Sequence, residues 1–353
     1  MSEKLVRVGL IGAGANTKLR HIPGFRAVTG VEIVGVANRT LASTQQLAKE
    51  YELPRAYSDW RAVLDDPQVD AVCIGTWPNT HCEIACAALA AGKHVLVEAR
   101  MARNAEEAHT MLVAAQSHPG LVSQIVPSPF GLEQDRFVKT LVDEGYIGDL
   151  RELVVIGADD AYWDYTELLH WRQEAEISGL NVLTLGILHE TAARWVPATT
   201  RVFAQTKIFE PRRPGRDSQG RVDISVPDSV QVLTYLEGGA RGIYHFSGVN
   251  LFGPGKQIHL YGSRGTLRYR SLPEGEFLEC GRAGESAMKV LEIPQEKRGG
   301  WRVEAEFISA IRGLERVTRT DFATGVRYME FTEAVARSAA LNQPVDLPLK
   351  MLG

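Results

Sequence analysis

The chain has 353 residues, of which 44% are hydrophobic and 23% are charged. At about 150 residues per domain this length predicts roughly two domains, and the composition excludes a disordered, collagen-like or coiled-coil chain. The 39 Lys and Arg residues against 43 Asp and Glu residues give a net charge of -4, and the basic residues are scattered along the sequence. A nucleic-acid partner is therefore not expected, because it would require a concentrated basic surface.

Targeting and metal-binding signals are absent from the sequence. It contains no apolar stretch of about 18 residues and no apolar segment behind a basic start, so we expect a cytoplasmic protein without a membrane partner. The four cysteines lack the paired two-residue spacing of zinc and redox sites, and they are Cys73, Cys82, Cys86 and Cys280. We expect reduced thiols and predict no metal site.

Short β-branched apolar runs alternate with helix-like stretches from residue 5 to about 125. This alternation predicts an α/β domain with a doubly wound parallel sheet, since fully apolar runs suit strands that are buried on both faces. The predicted strands are Leu5 to Ile11, Val31 to Ala37, Val69 to Gly75, His94 to Glu98 and Leu121 to Val126. The predicted helices are Gly24 to Val28, Ala42 to Tyr51, Trp60 to Leu64, Cys82 to Ala91 and Ala105 to Ser117.

The pattern changes after residue 126, where strands follow one another without intervening helices. This favours a second, α+β domain with a mostly antiparallel sheet. Its predicted strands are Leu150 to Gly157, Thr200 to Phe209, Ser229 to Leu236, Ala240 to Phe246, Lys256 to Gly262 and Gly265 to Arg270. Its predicted helices are Leu132 to Glu144, Ser178 to Trp195, Trp301 to Gly313 and Asp321 to Leu341, and Glu210 to Pro227 is predicted to be an exposed loop. We expect domains at 1–126 and 127–353, with the C-terminal helices packing back on the first.

The first predicted strand leads directly into Gly12-Ala13-Gly14 and a predicted helix start. Glycine at this turn would let backbone N–H groups and the helix N-terminus approach a pyrophosphate, which a Cβ atom would obstruct. Gly12, Ala13, Gly14 and Asn16 are therefore candidates for binding a dinucleotide. The third glycine of the usual fingerprint is absent, so a generic strand-to-helix turn remains an alternative.

Asn38 and Arg39 stand at the end of the second predicted strand. NAD sites usually place Asp or Glu here to hold the ribose 2′-hydroxyl. A neutral asparagine beside an arginine removes the repulsion that a 2′-phosphate would meet and supplies a charge-assisted donor, which favours NADP over NAD. The alternatives for Arg39 are stacking on the adenine ring and exposure to water.

Four segments together carry a resemblance to one family. They are residues 8–14 with His21-Ile22-Pro23, the stretch Thr76-Trp77-Pro78-Asn79-Thr80-His81, the stretch 91–98 (Ala-Gly-Lys-His-Val-Leu-Val-Glu) and the stretch 144–148 (Glu-Gly-Tyr-Ile-Gly). Over essentially its whole length the chain resembles the glucose-fructose oxidoreductase, inositol dehydrogenase and rhizopine-catabolism (Gfo/Idh/MocA) family. The resemblance implies a Rossmann domain, a second domain with a large open antiparallel sheet, a nicotinamide cofactor and a sugar or polyol substrate. It also implies a homodimer or homotetramer in which the open sheets pair.

The resemblance also assigns residues to the cofactor pocket. Thr76 and His81 match the Thr and His around the fourth strand, and Glu98 matches the Glu of the Glu-Lys-Pro motif. Trp77 stands where that motif usually has proline, and its ring would pack beside the nicotinamide or a sugar face. An ordinary half-buried Trp77 is the alternative.

The family's customary Lys, Asp and His are missing from this chain. Ala99 replaces the Lys that follows the motif Glu, and Arg100 replaces the Pro. The family also places an Asp and a His four residues apart on a helix of the second domain, so that both project into the cleft. Thr184 and Leu188 occupy these positions here.

The catalytic candidates are therefore His189, Glu98 and Arg100. His189 lies one residue beyond Leu188, about 100° round the helix, so a structural role is its alternative. Arg100 follows a predicted parallel strand, where ligands of such folds bind, and would contact substrate or a cofactor phosphate.

Candidate substrate-binding residues come from both domains: Trp77 and Arg100 from the first, Tyr162, Trp163 and Thr184 from the second. The stretch 159–164 (Asp-Asp-Ala-Tyr-Trp-Asp) combines carboxylates with aromatic rings, as carbohydrate sites do, and a polar loop anchored by aromatics is its alternative.

We weigh three functions. The first is an NAD(P)-dependent oxidoreductase that transfers a hydride to or from a sugar, polyol or related hydroxyl or carbonyl compound. The second uses tightly bound NAD(P) for redox-assisted elimination or glycoside cleavage. The third is a dinucleotide-binding protein without catalysis, to which loss of the usual Lys and His would point.

Overall fold

The computed structural model describes residues 4–216 and 220–350. The chain divides into two compact units. The first unit comprises residues up to Pro127 together with Arg302–Arg327, and the second comprises Ser128–Trp301 together with the chain from Tyr328 onward. Every helix among the described residues is too short or too polar to span a bilayer.

The first unit is built on a six-stranded sheet in which all the strand pairs are parallel. The strands are β1 (Val6–Ile11), β2 (Val31–Ala37), β3 (Arg55–Ala56), β4 (Ala71–Ile74), β5 (His94–Val97) and β6 (Ser123–Ile125). Their spatial order is β3-β2-β1-β4-β5-β6, so the strand order reverses between β1 and β4. Ligands of doubly wound folds bind at the carboxyl ends of the strands beside such a reversal. The predicted Rossmann-type sheet is confirmed.

Helices cover this sheet, and short polar side chains define where several of them begin. They are α1 (Ile22–Arg26), α2 (Leu41–Glu50), α3 (Trp60–Asp65), α4 (Pro78–Ala90) and α5 (Ala105–Ser117). The side chains of Thr40, Asp59 and Asn104 each accept a hydrogen bond from a backbone N–H in the first turn of α2, α3 and α5. These caps satisfy donors that have no partner within the helix.

The second unit contains a nine-stranded, mostly antiparallel sheet, in agreement with the prediction. The strands are β7 (Leu150–Ala158), β8 (Thr199–Lys207), β11 (Ser229–Leu236), β12 (Arg241–Ser247), β13 (Gly255–Gly262), β14 (Gly265–Leu272), β15 (Gly275–Arg282), β16 (Lys289–Val290) and β17 (Val345–Asp346). Their spatial order is β16-β15-β14-β13-β7-β12-β11-β8-β17, and the one parallel pair in this sheet among the described strands is β7 with β12. A separate two-stranded hairpin consists of β9 (Arg212–Pro214) and β10 (Arg221–Asp223).

The α-helices that follow β6 in the described chain are α6 (Asp135–Asp143), α7 (Ala175–Ser178), α8 (Leu185–Ala193), α9 (Val303–Ile311) and α10 (Phe322–Leu341). Helix α9 belongs to the first unit, where it packs against α1. The boundary between the units falls within α10.

Two predicted elements of the second unit differ from the structure. The predicted helix Ser178 to Trp195 is interrupted, because Gly179 and Leu183 adopt positive φ angles of 64° and 48°, and only α8 covers its second half. The predicted exposed loop Glu210 to Pro227 contains the β9–β10 hairpin, and Arg213 within it is fully buried. Residues 217–219 of that prediction lie outside the described residues.

Candidate active site

The glycine-rich turn after β1 packs tightly against the end of β4. Gly12 has a φ of 79°, and a Cβ atom on it would lie 2.6 Å from Thr76 Cγ2 and 2.8 Å from the Thr76 backbone nitrogen. The Ala13 N–H donates to Asn38 Oδ1 at 2.9 Å, which ties the turn to the end of β2. Gly14 is exposed. The turn therefore has the conformation and the open backbone that a pyrophosphate requires.

Thr17 and Gly75 explain how the turn tolerates the missing third glycine. Thr17 occupies that position of the fingerprint, and its hydroxyl donates to the Gly12 carbonyl at 3.3 Å. On the facing strand end, a Cβ on Gly75 would lie 2.3 Å from Thr17 Oγ1 and 2.4 Å from the Gly12 carbonyl oxygen. The third glycine normally permits close packing of helix on strand. Here Gly75 supplies that space from the opposite side of the contact.

Arg39 and Trp77, two predicted cofactor-binding residues from different strand ends, are neighbours. The Arg39 guanidinium lies 5.6 Å from the centroid of the Trp77 ring. Asn38 uses its amide within the fold, since its Nδ2 donates to the Ser43 carbonyl at 3.3 Å. Arg39 is exposed. The pair forms a cationic and aromatic surface beside the end of β2, of the kind that stacks on a purine ring.

Glu98 belongs to a hydrogen-bonded chain of charged groups. Its Oε1 lies 2.9 Å from His21 Nε2 and accepts a hydrogen bond from Asn16 Nδ2 at 2.5 Å. The other ring nitrogen, His21 Nδ1, lies 2.5 Å from Glu304 Oε1 on α9. Glu98 is 14% exposed, whereas His21 has no exposed surface. The side-chain amide of Asn16, a predicted cofactor-binding residue, thus donates to Glu98, a predicted catalytic residue.

The pKa values in this chain follow from its hydrogen bonds. Burial opposes the charge of His21, but hydrogen bonds to Glu304 and Glu98 outweigh it and raise the pKa of His21 to about 9. Burial likewise opposes the charge of Glu98, yet its bonds to His21 and Asn16 hold its pKa below the usual value. The His21 ring is therefore an imidazolium at neutral pH, and it lies between the side chains of Glu98 and Glu304.

His81 joins the loop after β4 to the loop after β5. Its Nδ1 lies 2.9 Å from the Arg100 carbonyl oxygen, and its Nε2 lies 3.1 Å from the Thr76 carbonyl oxygen. Its side chain is fully buried, and this burial lowers the pKa of the ring. The predicted direct contact of His81 with a cofactor is not supported by this burial, which indicates a brace between the two loops instead.

Thr76 and Arg100 lie at the strand ends that His81 joins. The Thr76 hydroxyl accepts a hydrogen bond from Thr80 Oγ1 at 2.7 Å. Arg100 is buried, and the peptide bond that joins it to Ala99 is cis. The burial of Arg100 leaves little of its guanidinium surface to touch a substrate, which weakens its assignment as a catalytic or substrate-contacting residue.

His189 is a core residue of the second unit. Its ring stacks on Phe331 with centroids 3.5 Å apart and planes inclined by 5°, and its Nδ1 lies 3.0 Å from the Tyr244 hydroxyl. Burial lowers the pKa of His189 to about 3. A buried, neutral and stacked ring favours the structural role over the catalytic one. Leu188 is also buried.

Two predicted substrate-binding residues, Tyr162 and Thr184, lie at the carboxyl ends of the parallel strands β7 and β12. A Cβ on Gly157 of β7 would lie 2.7 Å from Thr184 Oγ1, so the Thr184 hydroxyl rests directly on this strand. A Cβ on Gly248, just after β12, would lie 2.6 Å from Tyr162 Cδ2 and 3.1 Å from Leu183 Cδ2. Tyr162 and Thr184 thus lie at one edge of the sheet, which we call the β7–β12 edge. Trp163 is exposed beside them in sequence.

Lys256, Asp159 and Phe130 complete this edge. Lys256 on β13 pairs in register with Gly157 of β7. Its Nζ lies 3.8 Å from Asp159 Oδ2 and 5.5 Å from the centroid of the Phe130 ring. The edge therefore presents a hydroxyl, an ammonium, a carboxylate and two aromatic rings, which is the composition of sites that bind hydroxylated compounds.

Buried Arg213 holds the loop that carries Tyr162. Its guanidinium donates to the backbone carbonyls of Tyr162 and Asp164, and it lies 5.8 Å from the centroid of the Tyr162 ring. The β9–β10 hairpin thereby fixes the backbone of the predicted substrate loop.

Sequence reasoning missed Glu304, Phe130 and Lys256, and it named His21 only as part of a family segment without giving it a role. Only one of them had a clear local signal. Lys256, Ile258 and Leu260 alternate along one strand, which places a lysine on the same face as two buried aliphatic residues. His21 and Glu304 are 283 positions apart, so their contact depends on the tertiary fold. Among the described residues, no group of three or more His, Cys, Asp and Glu side chains is arranged to hold a metal ion.

Two family models match most of the chain. The model described as "Oxidoreductase family, NAD-binding Rossmann fold" matches residues 6–125, and the model described as "GFO/IDH/MocA C-terminal domain" matches residues 136–268. The chain belongs to the Gfo/Idh/MocA oxidoreductase family. The resemblance that the four sequence segments carry is confirmed, as is the interpretation as an NAD(P)-dependent oxidoreductase with an NAD-binding Rossmann fold.

Similar proteins of this family are named as dehydrogenases. Levoglucosan dehydrogenase of Pseudarthrobacter phenanthrenivorans is 26% identical over 97% of this chain and 98% of that enzyme. The trans-1,2-dihydrobenzene-1,2-diol dehydrogenase of Sus scrofa is 28% identical over 68% of this chain and 66% of that enzyme. These names do not favour the elimination chemistry or the non-catalytic alternative.

Solved structures of the family share the fold. Levoglucosan dehydrogenase in complex with NADH has a TM-score of 0.86 at 23% identity and covers 98% of this chain and 100% of that one. The WlbA dehydrogenase from Bordetella pertussis, in complex with NADH and UDP-GlcNAcA, has a TM-score of 0.79 at 21% identity, with coverage of 98% and 100%.

Proposed function

We propose that this Gfo/Idh/MocA oxidoreductase oxidises a hydroxyl group of a sugar or polyol, with NADP as the preferred hydride acceptor. The observation that carries the substrate class is the β7–β12 edge, where Thr184 lies beside Gly157 of β7 and Tyr162 lies beside Gly248, just after β12. Similar enzymes named for levoglucosan and for a dihydrodiol support the same class.

The cofactor half of the proposal is supported by the turn at Gly12. The Gly12 backbone packs so closely on Thr76 that a Cβ atom would clash there. A glycine with this close packing fits a pyrophosphate-binding turn. When bound, a nicotinamide nucleotide supplies the hydride acceptor. Gly12, Ala13 and Gly14 would hold its pyrophosphate.

A preference for NADP is supported at the end of β2. Asn38 is neutral, and its Oδ1 is taken by the Ala13 N–H at 2.9 Å, so no carboxylate stands here to bind a ribose 2′-hydroxyl. Arg39 is exposed beside it, and Thr40 and Ser43 add hydroxyl groups at the start of α2. An arginine, hydroxyl groups and a helix N-terminus together suit a phosphate.

The proposal assigns Glu98 to the handling of the substrate proton in the first unit. Its carboxylate is partly exposed, and hydrogen bonds from His21 and Asn16 to Oε1 orient it. Because the pKa of Glu98 is lowered, the group is an anion at neutral pH that can accept a hydrogen bond from a hydroxyl. Ala99 supplies no ammonium in the position of the family's lysine.

We further propose that two copies of the chain associate through the second sheet. Phe203, Leu233 and Ile243 lie in register across β8, β11 and β12, and they are 39%, 54% and 51% exposed. Such a contiguous apolar row on a sheet face is typical of a subunit interface.

The experiment is a screen for hydride transfer. The purified protein is incubated with NADP or NAD and with levoglucosan, myo-inositol, glucose or trans-cyclohexanediol with adjacent hydroxyls, and absorbance follows reduced nicotinamide. The proposal expects reduced nicotinamide to accumulate in proportion to the substrate oxidised, and faster with NADP. Cleavage of a substrate without net reduction would instead support redox-assisted elimination. Reduction of neither nucleotide by any of these compounds would reject the proposed substrate class.

A further inference from the structure

Lys256 is a charged residue in an inward position of the second sheet. On β13 it alternates with Ile258 and Leu260, both of which are fully buried. Their register partners on β7 are Val155 and Leu153, also fully buried. Helix α8 packs on β7, so Lys256 shares the face of the sheet that this helix covers.

The residues beside Lys256 form the β7–β12 edge. Its register partner is Gly157, the glycine on which the Thr184 hydroxyl rests. Phe246 of β12 pairs with the same glycine from the other side. Neighbouring strands lie about 5 Å apart, so the backbone of Lys256 is one strand spacing away from Gly157 and the Thr184 hydroxyl above it.

The ion pair of Lys256 with Asp159 is open. The Nζ to Oδ2 distance of 3.8 Å exceeds hydrogen-bond length, and the two side chains are 27% and 41% exposed. The other carboxylate oxygen, Asp159 Oδ1, accepts a hydrogen bond from the Ala161 N–H at 3.2 Å. One oxygen of Asp159 is thus bonded to the backbone, and the other lies toward the ammonium on a partly exposed side chain.

The chemistry of this pair defines what it can bind. An ammonium offers three donors and no acceptor, whereas an ionised carboxylate offers only acceptors. Two adjacent hydroxyl groups satisfy both, since one oxygen accepts from the ammonium and the neighbouring O–H donates to the carboxylate. The Phe130 ring, 5.5 Å from Nζ, adds an apolar surface for the carbon skeleton.

We propose that Lys256 and Asp159 bind a vicinal diol of the substrate, with Lys256 donating to one oxygen and Asp159 accepting from the next. This inference rests on the proposed function and names the two side chains that would bind adjacent hydroxyl groups of its substrate. Lys256 is then a specificity-determining residue of the second unit that no sequence motif marks.

The test compares substrates and variants together. Calorimetry measures how tightly the NADPH-loaded protein binds two ligands: the trans-cyclohexanediol whose hydroxyls are adjacent, and cyclohexanol. Turnover of both compounds is measured with NADP. The variants are Lys256→Met, Lys256→Arg and Asp159→Asn. The control is Lys289→Met, which removes another lysine paired with a carboxylate, Glu285 at 3.1 Å, on the edge strand β16.

We expect Lys256→Met to bind the diol roughly ten- to a hundredfold more weakly, the usual range for loss of a charge-assisted hydrogen bond. Its affinity for cyclohexanol should change little, because that compound cannot engage both groups. Lys256→Arg should recover part of the diol affinity, Asp159→Asn should lose it, and Lys289→Met should retain it.

The outcomes separate this inference from the proposed function. Diol binding that Lys256→Met loses, without hydride transfer in the wild type, would support the diol site and reject the dehydrogenase activity on this compound. Hydride transfer with equal losses for diol and monoalcohol in Lys256→Met would overturn the diol site and keep the activity. Failure of the wild type to bind any diol overturns the inference.

Discussion

His21 is the buried cation of the first unit, and its two carboxylate partners come from distant parts of the sequence. Glu98 follows β5 and Glu304 belongs to α9, so the imidazolium joins the sheet edge to a helix near the C-terminus of the chain. The Phe25 ring lies 6.4 Å from the His21 ring, measured between centroids. The pKa of Cys73 on β4 is raised mainly by burial and further by the charges of Glu98 and Glu304. The stability of this unit should therefore depend on the charge of His21.

The first prediction is a loss of stability between pH 6.5 and about 9. The pKa of His21 is about 9 in the folded protein and 6.5 in the unfolded chain, so its contribution is complete below 6.5 and is lost as the pH rises through about 9. The difference in Tm between wild type and His21→Gln should shrink over this window.

The matched control is His94→Gln, because burial lowers the pKa of His94, so this ring titrates mainly below the window. A difference between wild type and His21→Gln that stays constant from pH 6.5 to 9 would contradict the buried imidazolium.

The second prediction concerns His189. Because its ring is neutral and stacked on Phe331, His189→Phe should lower Tm but reduce kcat by less than tenfold. Loss of a general acid or base usually costs about a hundredfold or more. The pH profile of kcat should also keep its shape. A hundredfold loss of kcat at unchanged Tm would restore His189 as a catalytic residue.

At the scale of elements, the sequence predicts those whose signal is local. The β1 and β2 ranges follow apolar runs, and α5 begins at the residue after its Asn104 cap. The glycine turn also lies where its spacing predicts it. All of these signals are set by a few neighbouring residues.

Other elements depend on partners far away in sequence. The two-residue strand β3 is defined by its pairing with β2. The β9–β10 hairpin is held in place by buried Arg213, which donates to the backbone carbonyls of Tyr162 and Asp164, 51 and 49 positions earlier. The break before α8 places Leu183 over Gly248. For the same reason the sequence predicts no role for His21, whose partner Glu304 is 283 positions away.

The third prediction belongs to the glycine turn as an element. Gly75→Ala should weaken nucleotide binding at least tenfold, because the added Cβ would lie 2.3 Å from Thr17 Oγ1 and 2.4 Å from the Gly12 carbonyl oxygen. The second contact is with backbone, so the turn itself must move. Calorimetric titration with NADPH measures the effect.

Gly120→Ala is the matched control, because its added Cβ would meet no atom within 4 Å. Equal nucleotide affinities for the two variants would contradict the account of how the turn replaces its third glycine.

At the scale of the whole molecule, the fourth prediction concerns association of two chains. Leu233→Glu places a charge in the middle of the row formed by Phe203, Leu233 and Ile243, so it should convert a dimer or tetramer to a smaller species. Light scattering after size-exclusion chromatography measures the mass.

The control is Leu314→Glu, since Leu314 is equally apolar and 72% exposed, but belongs to the first unit. A Leu233→Glu protein with the same mass as wild type would exclude this face as the interface.

The central claim is that the first unit binds a nicotinamide dinucleotide at the Gly12 turn and reads the 2′-phosphate at Arg39. The most direct test is calorimetric titration of wild type and Asn38→Asp with NADPH and NADH. We predict tighter binding of NADPH by wild type and a shift toward NADH in Asn38→Asp, where a carboxylate would repel the 2′-phosphate and accept the ribose hydroxyl. Binding of neither nucleotide by wild type would contradict the claim.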